Sequence, residues 1–460
     1  VQSYDGMLSA REVRDVKDYR SVADAVAAEI RTGRLGPGDR LPPQREFARR
    51  HGIANSTATR VYRELARRGL TVGEVGRGTF VSAAPSPAGP SLTEPADSRV
   101  DLELNYPVVP EQSGLLAGGL GGLLSPDALE HALRPVGAAG TPAARETAAA
   151  LLARGGWRPD PARVLFAGNG RQAISAVVSA LVPPGGRMGV EEVTYPVIKA
   201  IAARLGVTLV PLAMDGSGLV PEAVEQAHRS GPLHAVYVQP TLHNPLSLTM
   251  PEDRVRRLAD VLERLGIHAV EDTIWAFLRD ETPPLASVAP GRTVLVDSLS
   301  KRISPGLTLG FAVVPGDVLG AVATSLRSCG WTPMPFALEA ACRWQSAGTV
   351  GKLVRAKQRD AAVRQEIAGR LLADFTVRSD PHSYHCWWEL PGPWRADTFV
   401  AAAARQGIAV TPAAAFGVGR SIAPNAVRLG LASPRTEVLA QALSTLAELA
   451  RSAPDDLVTD

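Results

Sequence analysis

Lys301 stands in Asp297-Ser298-Leu299-Ser300-Lys301-Arg302-Ile303-Ser304-Pro305-Gly306, in a chain with five lysines against 44 arginines. Only an amine can lose its proton and condense with an aldehyde to a Schiff base, whereas a guanidinium stays charged. The competing reading is a surface lysine in a polar turn. Five further groups have side chains or backbone suited to chemistry. Gly168-Asn169-Gly170-Arg171-Gln172 can present free amides to a phosphate at a helix N-terminus, although such turns are common. Tyr195 can stack on a flat ring or simply fill its turn. Asn244, in His243-Asn244-Pro245, offers an amide. Asp272 can hold the proton of a ring nitrogen or cap a helix. Arg428, in Asn425-Ala426-Val427-Arg428-Leu429-Gly430, can clasp a carboxylate or join a salt bridge.

The elements around these groups follow one pattern. Short apolar runs at Val164–Phe166, Arg187–Val190, Thr208–Leu212, Ala235–Gln239, His268–Glu271, Thr293–Asp297 and Leu309–Val314 read as buried strands alternating with helices. That alternation predicts an α/β domain with a mostly parallel sheet. Ligands of such sheets sit at the carboxyl ends of the strands, and most of the groups above fall just past a predicted strand end. The glycine turn opens a helix predicted over Ala173 to Leu181.

Length and charge divide the chain. At 460 residues it is too long for one ordinary domain. Residues 1–82 hold 15 Lys+Arg and 10 Asp+Glu, a net +5, and the remainder holds 34 and 36, a net −2. A basic front end is what a nucleic-acid-binding module carries. Val22, Val26 and Ile30 mark one helix face. A second helix is predicted from Pro43 to His51, and a third, capped by Ser56 or Asn55, runs to Arg68. Two helices joined by a tight turn containing Gly52 make a helix-turn-helix, and the segment from Leu70 to Val81 reads as a hairpin, the wing. Asn55, Ser56, Thr57, Thr59 and Arg60 would face bases or phosphates in the major groove. Arg45 would meet a phosphate, and Arg77, beside Gly78, would probe the minor groove. Arg49, Arg50, Arg67 and Arg68 read as a solvated face. Residues 82–99, rich in Pro, Ala and Ser, read as a linker.

The front end, through Gly38-Asp39-Arg40-Leu41-Pro42, Arg45, Thr57 to Leu70 and Gly76-Arg77-Gly78-Thr79-Phe80-Val81, resembles the winged helix-turn-helix of the GntR family. The rest, by the order Gly turn, Tyr, Asn-Pro, Asp, Ser-x-x-Lys, Asn-x-x-Arg, resembles fold-type I aminotransferases. Together they resemble the MocR subfamily of GntR regulators. The resemblance implies a winged-helix domain over 1–82, a linker over 83–102 and, over 103–460, an aminotransferase-like domain with a mostly parallel large sheet and a smaller C-terminal α+β part. It implies pyridoxal 5'-phosphate (PLP) bound to Lys301 as a Schiff base, with Asp272 on the pyridine nitrogen, Asn244 at O3' and Tyr195 stacked on the ring. Gly170, Arg171, Gln172 and Ser298 would bind the phosphate, and Arg428 an effector carboxylate. Implied partners are a double-stranded DNA operator, a small amine, amino-acid or PLP-type effector, and a second copy packed head-to-tail.

The chain departs from this pattern at several positions. Trp275 stands where many relatives have tyrosine, so the group near O3' has no acidic hydroxyl. Thr308 replaces the arginine that commonly binds the phosphate, and Arg302 or Arg171 is the expected substitute. Two rival readings are a working aminotransferase carrying a DNA-binding domain, and a regulator whose sensing fold no longer takes the cofactor. No apolar run reaches membrane-span length, and Cys329, Cys342 and Cys386 share no metal spacing. A cytoplasmic protein without structural metal or disulfides is expected.

Overall fold

The structure, a computed structural model, describes residues 19–31, 34–36, 39–68, 70–74, 78–81, 100–126, 129–130, 133–330, 332–419 and 424–453. The predicted linker at 82–99 and Arg77 of the wing lie outside the described residues. The chain divides into two compact units, Val1–Pro90 and Ser91–Asp460.

In the first unit, helices Tyr19–Arg31, Gln44–His51 and Asn55–Arg67 precede a hairpin of Thr71–Glu74 with Gly78–Val81. The four-residue spacing of Val22 and Val26 places both on one face, where they meet Phe47, Ala48, Val61 and Leu65 in a single apolar core. Two details differ from expectation. The third helix is capped by Ala54, whose backbone is extended (φ −66°, ψ 150°) and makes no side-chain cap hydrogen bond. Asn55 and Ser56 therefore sit inside the first turn, where helical backbone angles take their side chains away from the amides a cap would serve. The Arg68 side chain, expected in solvent, is only 4% exposed, 2.7 Å from Asp24 and 2.8 Å from Glu64. Glu64 lies one turn before it and draws the guanidinium inward.

In the second unit, seven strands lie in the order Val164–Ala167, Gly310–Val313, Thr293–Ser298, His268–Asp272, Ala235–Val238, Arg187–Glu191 and Thr208–Leu212. Only Gly310–Val313 runs antiparallel to its neighbours. Most of these strands are buried on both faces, which is why they read as continuous apolar runs. A four-stranded sheet of Val377–Arg378, His385–Glu389, Ala426–Gly430 and Thr411–Pro412 forms the smaller C-terminal part. Helices Ala396–Arg405 and Thr436–Arg451 pack against it. Helix Thr349–Leu371 joins both parts: Leu353 packs with Leu299 and Ile303, and Ala368 with Trp388 and Leu429.

Several boundaries shift in ways that bear on chemistry. Asp272 and Ser298 are the last residues of their strands, so sheet hydrogen bonds fix them. The segment after Ser298 is one helical turn, Leu299–Arg302, capped by Ser298 Oγ, which accepts from Ser300 N at 3.3 Å. The helix predicted from Ala173 starts at Gly170, with Asn169 as its cap: Oδ1 accepts from Gln172 N at 3.0 Å.

Candidate functional site

A cavity of ≈ 330 Å³ opens where the parallel strands end. Gly170, Arg171, Tyr195, Asn244, Asp272, Trp275, Ser298, Lys301 and Arg428 all line it. Residues spread over some 260 positions of sequence, from 170 to 428, converge there, and a few convergent polar groups in a cavity are what a ligand pocket presents. Two of the singled-out residues do not line it. Gln172 spends its backbone N–H on the Asn169 cap. Arg302 points away, its Nη2 2.7 Å from Asp297 and its guanidinium 5.2 Å from the Phe277 ring centroid.

Lys301 Nζ donates to the main-chain oxygen of Asn105 at 2.6 Å and lies 4.0 Å from the Tyr106 ring centroid. Burial, then the charges of Arg428, Arg171 and Lys357, hold its amine well below the ordinary lysine range. An amine so placed gives up its proton more readily than an ordinary lysine, which favours its use as a nucleophile.

Three neighbouring buried carboxylates differ in their partners. Glu271 pairs with Arg154 at 3.3 Å and Asp297 with Arg302 at 2.7 Å. Asp272 instead accepts from Tyr237 Oη at 2.6 Å and Gln239 Nε2 at 3.0 Å, and forms no ion pair with a described residue. Burial pushes its carboxyl up to about 6. A protonated ring nitrogen would supply the missing positive charge.

At the opposite end of the cavity, a Cβ built on Gly170 would lie 3.1 Å from Ser298 Oγ, so a bare glycine is what keeps this gap open. The N-terminus of helix Gly170–Leu181, Ser298 and the hydroxyl pair Ser300 Oγ and Thr308 Oγ1, 2.7 Å apart, face this end. Arg171 lines the cavity with Tyr195, and the nearby phenol raises the guanidinium's pKa. Asn244 is presented by a loop in which Leu242 (φ 50°) and Ser247 (φ 55°) adopt left-handed backbone. Ser247 Oγ donates to His385 O at 2.8 Å, part of the packing that holds that strain.

Arg428 is buried; its Nη2 donates to Thr411 Oγ1 at 2.9 Å and to Glu103 O. Its Nε is buried and finds no hydrogen-bond partner among the described residues, as does Asn244 Oδ1. Burial brings the guanidinium down to about 10, which leaves it charged at neutral pH.

Sequence reasoning missed several lining residues. Glu103, Asn105 and Tyr106 come from the segment after Val100–Asp101, which pairs with Ile408–Ala409 and is thereby laid over the site. Gln239, Thr411 and Phe416 line it too. A polar residue ending a predicted strand flagged Asp272, and the same signal was present at Gln239.

In the first unit Arg45, Asn55, Ser56, Thr59 and Arg60 are exposed and Thr57 is half-buried. Thr59 Oγ1 donates to Gln44 Oε1 at 2.8 Å, which links the second and third helices. The Arg60 guanidinium lies 4.1 Å from the Tyr19 ring centroid. Gly78 has φ +125°, and a Cβ there would meet the Arg40 side chain at 2.8 Å.

Residues 134–446 match the family "Aminotransferase class I and II", and residues 18–81 match "Bacterial regulatory proteins, gntR family". The chain belongs to the class I and II aminotransferase family and joins that domain to a GntR winged helix, an arrangement consistent with the MocR subfamily. It is 29% identical over 435 residues to an uncharacterised HTH-type transcriptional regulator, YdeF, of Bacillus subtilis, covering 94% of each chain. It is 26% identical over 394 residues to the probable rhizopine catabolism regulatory protein MocR of Rhizobium meliloti, covering 78% of this chain and 79% of that one. The crystal structure of an archaeal alanine:glyoxylate aminotransferase superposes with a TM-score of 0.70 at 20% identity, over 76% of this chain and 90% of the other. As a MocR-type chain, it has a PLP-binding aminotransferase domain. The residues present fit that cofactor: a buried amine whose pKa is lowered, a buried carboxylate and an amide oxygen that lack, respectively, a cation and a hydrogen-bond partner among the described residues, and a glycine gap at a helix N-terminus.

Proposed function

We propose that this MocR-type chain regulates transcription by sensing a small amine, amino-acid or PLP-type effector in its aminotransferase-type unit, without depending on turnover. The observation that carries this reading is one chain holding both a gntR-type DNA-binding unit and a cavity lined by Lys301, Asp272 and Arg428, whose Nε finds no partner among the described residues.

PLP, when bound, supplies an aldehyde for amines and an electron-withdrawing ring. Lys301 acts as the amine that holds it. Asp272 stabilises positive charge on the ring nitrogen, and Tyr195 packs on the ring face. Asn244 hydrogen-bonds the phenolic oxygen. Gly170, Arg171 and Ser298 hold the phosphate, with Ser300 and Thr308 adding hydroxyls. Arg302 is left with Asp297 and takes no part. Arg428 takes an effector carboxylate with its unpartnered Nε edge. Trp275, 5.9 Å from the His385 ring and packed near Tyr384 and Phe277, offers no acidic hydroxyl for proton transfer. That favours binding over catalysis.

An effector that fills the cavity changes the relative stability of two arrangements only if it binds one better. Coupling of about 1–3 kcal/mol would alter operator affinity roughly 5–150-fold. Large apolar side chains exposed on the second unit, among them Val108, Leu124, Leu133, Met334 and Phe336, suit burial against a second copy, and a head-to-tail homodimer in the cytoplasm is the expected form.

The test has two arms, run with each candidate effector: operator affinity by titration, and keto-acid product by assay. A changed affinity with little product supports the regulator. Rapid product with unchanged affinity would make the chain an aminotransferase carrying a DNA-binding domain.

A further inference from the structure

Lys357 lies on helix Thr349–Leu371 with 0% exposure. A wholly buried lysine is costly unless its head group is satisfied. Its Nζ donates to the main-chain oxygens of Lys301 at 2.9 Å and Ile303 at 2.8 Å. Those carbonyls close the single turn Leu299–Arg302. A helix that short leaves carbonyls without N–H partners, and Lys357 satisfies two of them. An apolar side chain such as Met would fill the volume but leave the Lys301 oxygen without this donor and the Ile303 oxygen with Gln112 Nε2 alone, at 3.0 Å.

The same helix makes matching contacts two turns later. Arg364 Nη1 donates to Leu431 O and Pro434 O, each at 2.6 Å. Gln365 Nε2 donates to Ser383 O at 2.7 Å and His385 O at 3.1 Å. Positions 357, 364 and 365 share a helix face. Leu431 directly follows the strand Ala426–Gly430, which carries Arg428. One face of one helix therefore grips backbone on both the Lys301 side and the Arg428 side of the cavity.

We propose that Lys357 is a positioning residue for Lys301: its two hydrogen bonds fix the turn that aims the Lys301 amine and tie that turn, through helix Thr349–Leu371, to the Arg428 strand. This rests on the reading of Lys301 as the cofactor's lysine. Two charged groups bear on the Lys357 ammonium. Asp360, on its own helix, is itself bound to Arg364 and Tyr384, each at 2.8 Å. Lys301 faces it from the turn and is lowered by its charge. Burial brings Lys357 down to about 7, against the pull of Asp360.

The experiment uses the full chain reconstituted with PLP, as wild type, Lys357→Met and Lys357→Gln. The Gln variant keeps a donor and serves if Met prevents folding. Three quantities are read: the unfolding temperature, the rate at which the cofactor's visible band appears, and the pH midpoint of that band. Loss of a nearby positive charge makes the Lys301 nitrogen hold its proton more tightly. The midpoint should therefore move to higher pH, by about half a unit to one unit in both variants. Band formation at neutral pH should slow roughly tenfold in Lys357→Met and less in Lys357→Gln, which can still bind a carbonyl. A folded variant with the wild-type midpoint and rate, whatever its unfolding temperature, makes Lys357 merely structural and overturns the proposal. A wild-type chain that gives no visible band overturns the parent reading of Lys301, and this one with it.

Discussion

The Tyr237 hydroxyl donates to Asp272 Oδ2 at 2.6 Å, in the place where Glu271 and Asp297 each have an arginine. The hydrogen bonds from Tyr237 and Gln239 orient the carboxylate without neutralising it, and its carboxyl stays at about 6. Asp272 is thus left without a cationic partner among the described residues.

That lack has a cost in the cofactor-free chain. Asp272 is raised in the fold to about 6 from an ordinary value of 3.8, so the folded chain binds an extra proton between those values. Stability from this group is fully present below about pH 4 and lost as pH rises through about 6. Asp272→Asn should therefore stabilise the cofactor-free chain at pH 7 by about 1–3 kcal/mol, an advantage that fades towards pH 4. Urea unfolding of both proteins at several pH values measures it. The same variant should bind PLP at least about tenfold more weakly, a loss of about 1.4 kcal/mol or more. A variant less stable at pH 7 would contradict this account of Asp272.

Gly170 and Ser298 make a second, independent prediction. The Cβ of Gly170→Ala would stand 3.1 Å from Ser298 Oγ, closing the gap assigned to phosphate while leaving the ring end alone. Affinity for PLP should fall by roughly tenfold, about 1–2 kcal/mol, whereas pyridoxal, which lacks the phosphate, should bind as before. Equal weakening of both would place the phosphate elsewhere.

Arg428 sets what an effector must carry. With its Nε unpartnered among the described residues, it should favour an amino acid over the matching amine without a carboxylate. Arg428→Gln should reduce that preference by about 10- to 100-fold, since a charge-assisted hydrogen bond is worth about 1.5–3 kcal/mol. Absorbance titrations with the paired ligands give the ratio. Equal loss for both would remove Arg428 from carboxylate recognition.

The winged helix is tested through salt. Arg45 is exposed at the start of the second helix. Arg45→Ala should weaken binding to all DNA sequences alike and lower the salt slope by about 1. Changes at Thr57 should alter sequence preference instead. A changed operator preference with an unchanged slope in Arg45→Ala would contradict the proposed contact.

Much of this was legible in the sequence because the cavity is built at strand ends. A strand end is marked by where an apolar run stops, so Asp272 and Ser298 could be placed to within a residue. What stayed hidden depended on distant packing. The Asn105 main-chain oxygen accepts from Lys301 Nζ across 196 positions, and main-chain acceptors leave no mark on residue type. Arg302 was an expected phosphate ligand, but the turn Leu299–Arg302 is too short to show a periodicity. The face on which Arg302 meets Asp297 could not be read. Asn55 and Ser56 misled for another reason. Both are favoured caps, and only backbone angles distinguish a cap from a first turn.

The central claim is that Lys301, and no other lysine, holds the cofactor of this regulator. The full chain can be incubated with PLP and treated with borohydride, which makes the bond between cofactor and amine permanent. It is then digested and weighed by mass spectrometry. With five lysines in the chain, the modified peptide is unambiguous. The account predicts a single modified site at Lys301, absent from Lys301→Ala. Modification at Lys199 or Lys357, or none at all under conditions that label a known PLP enzyme, would contradict it.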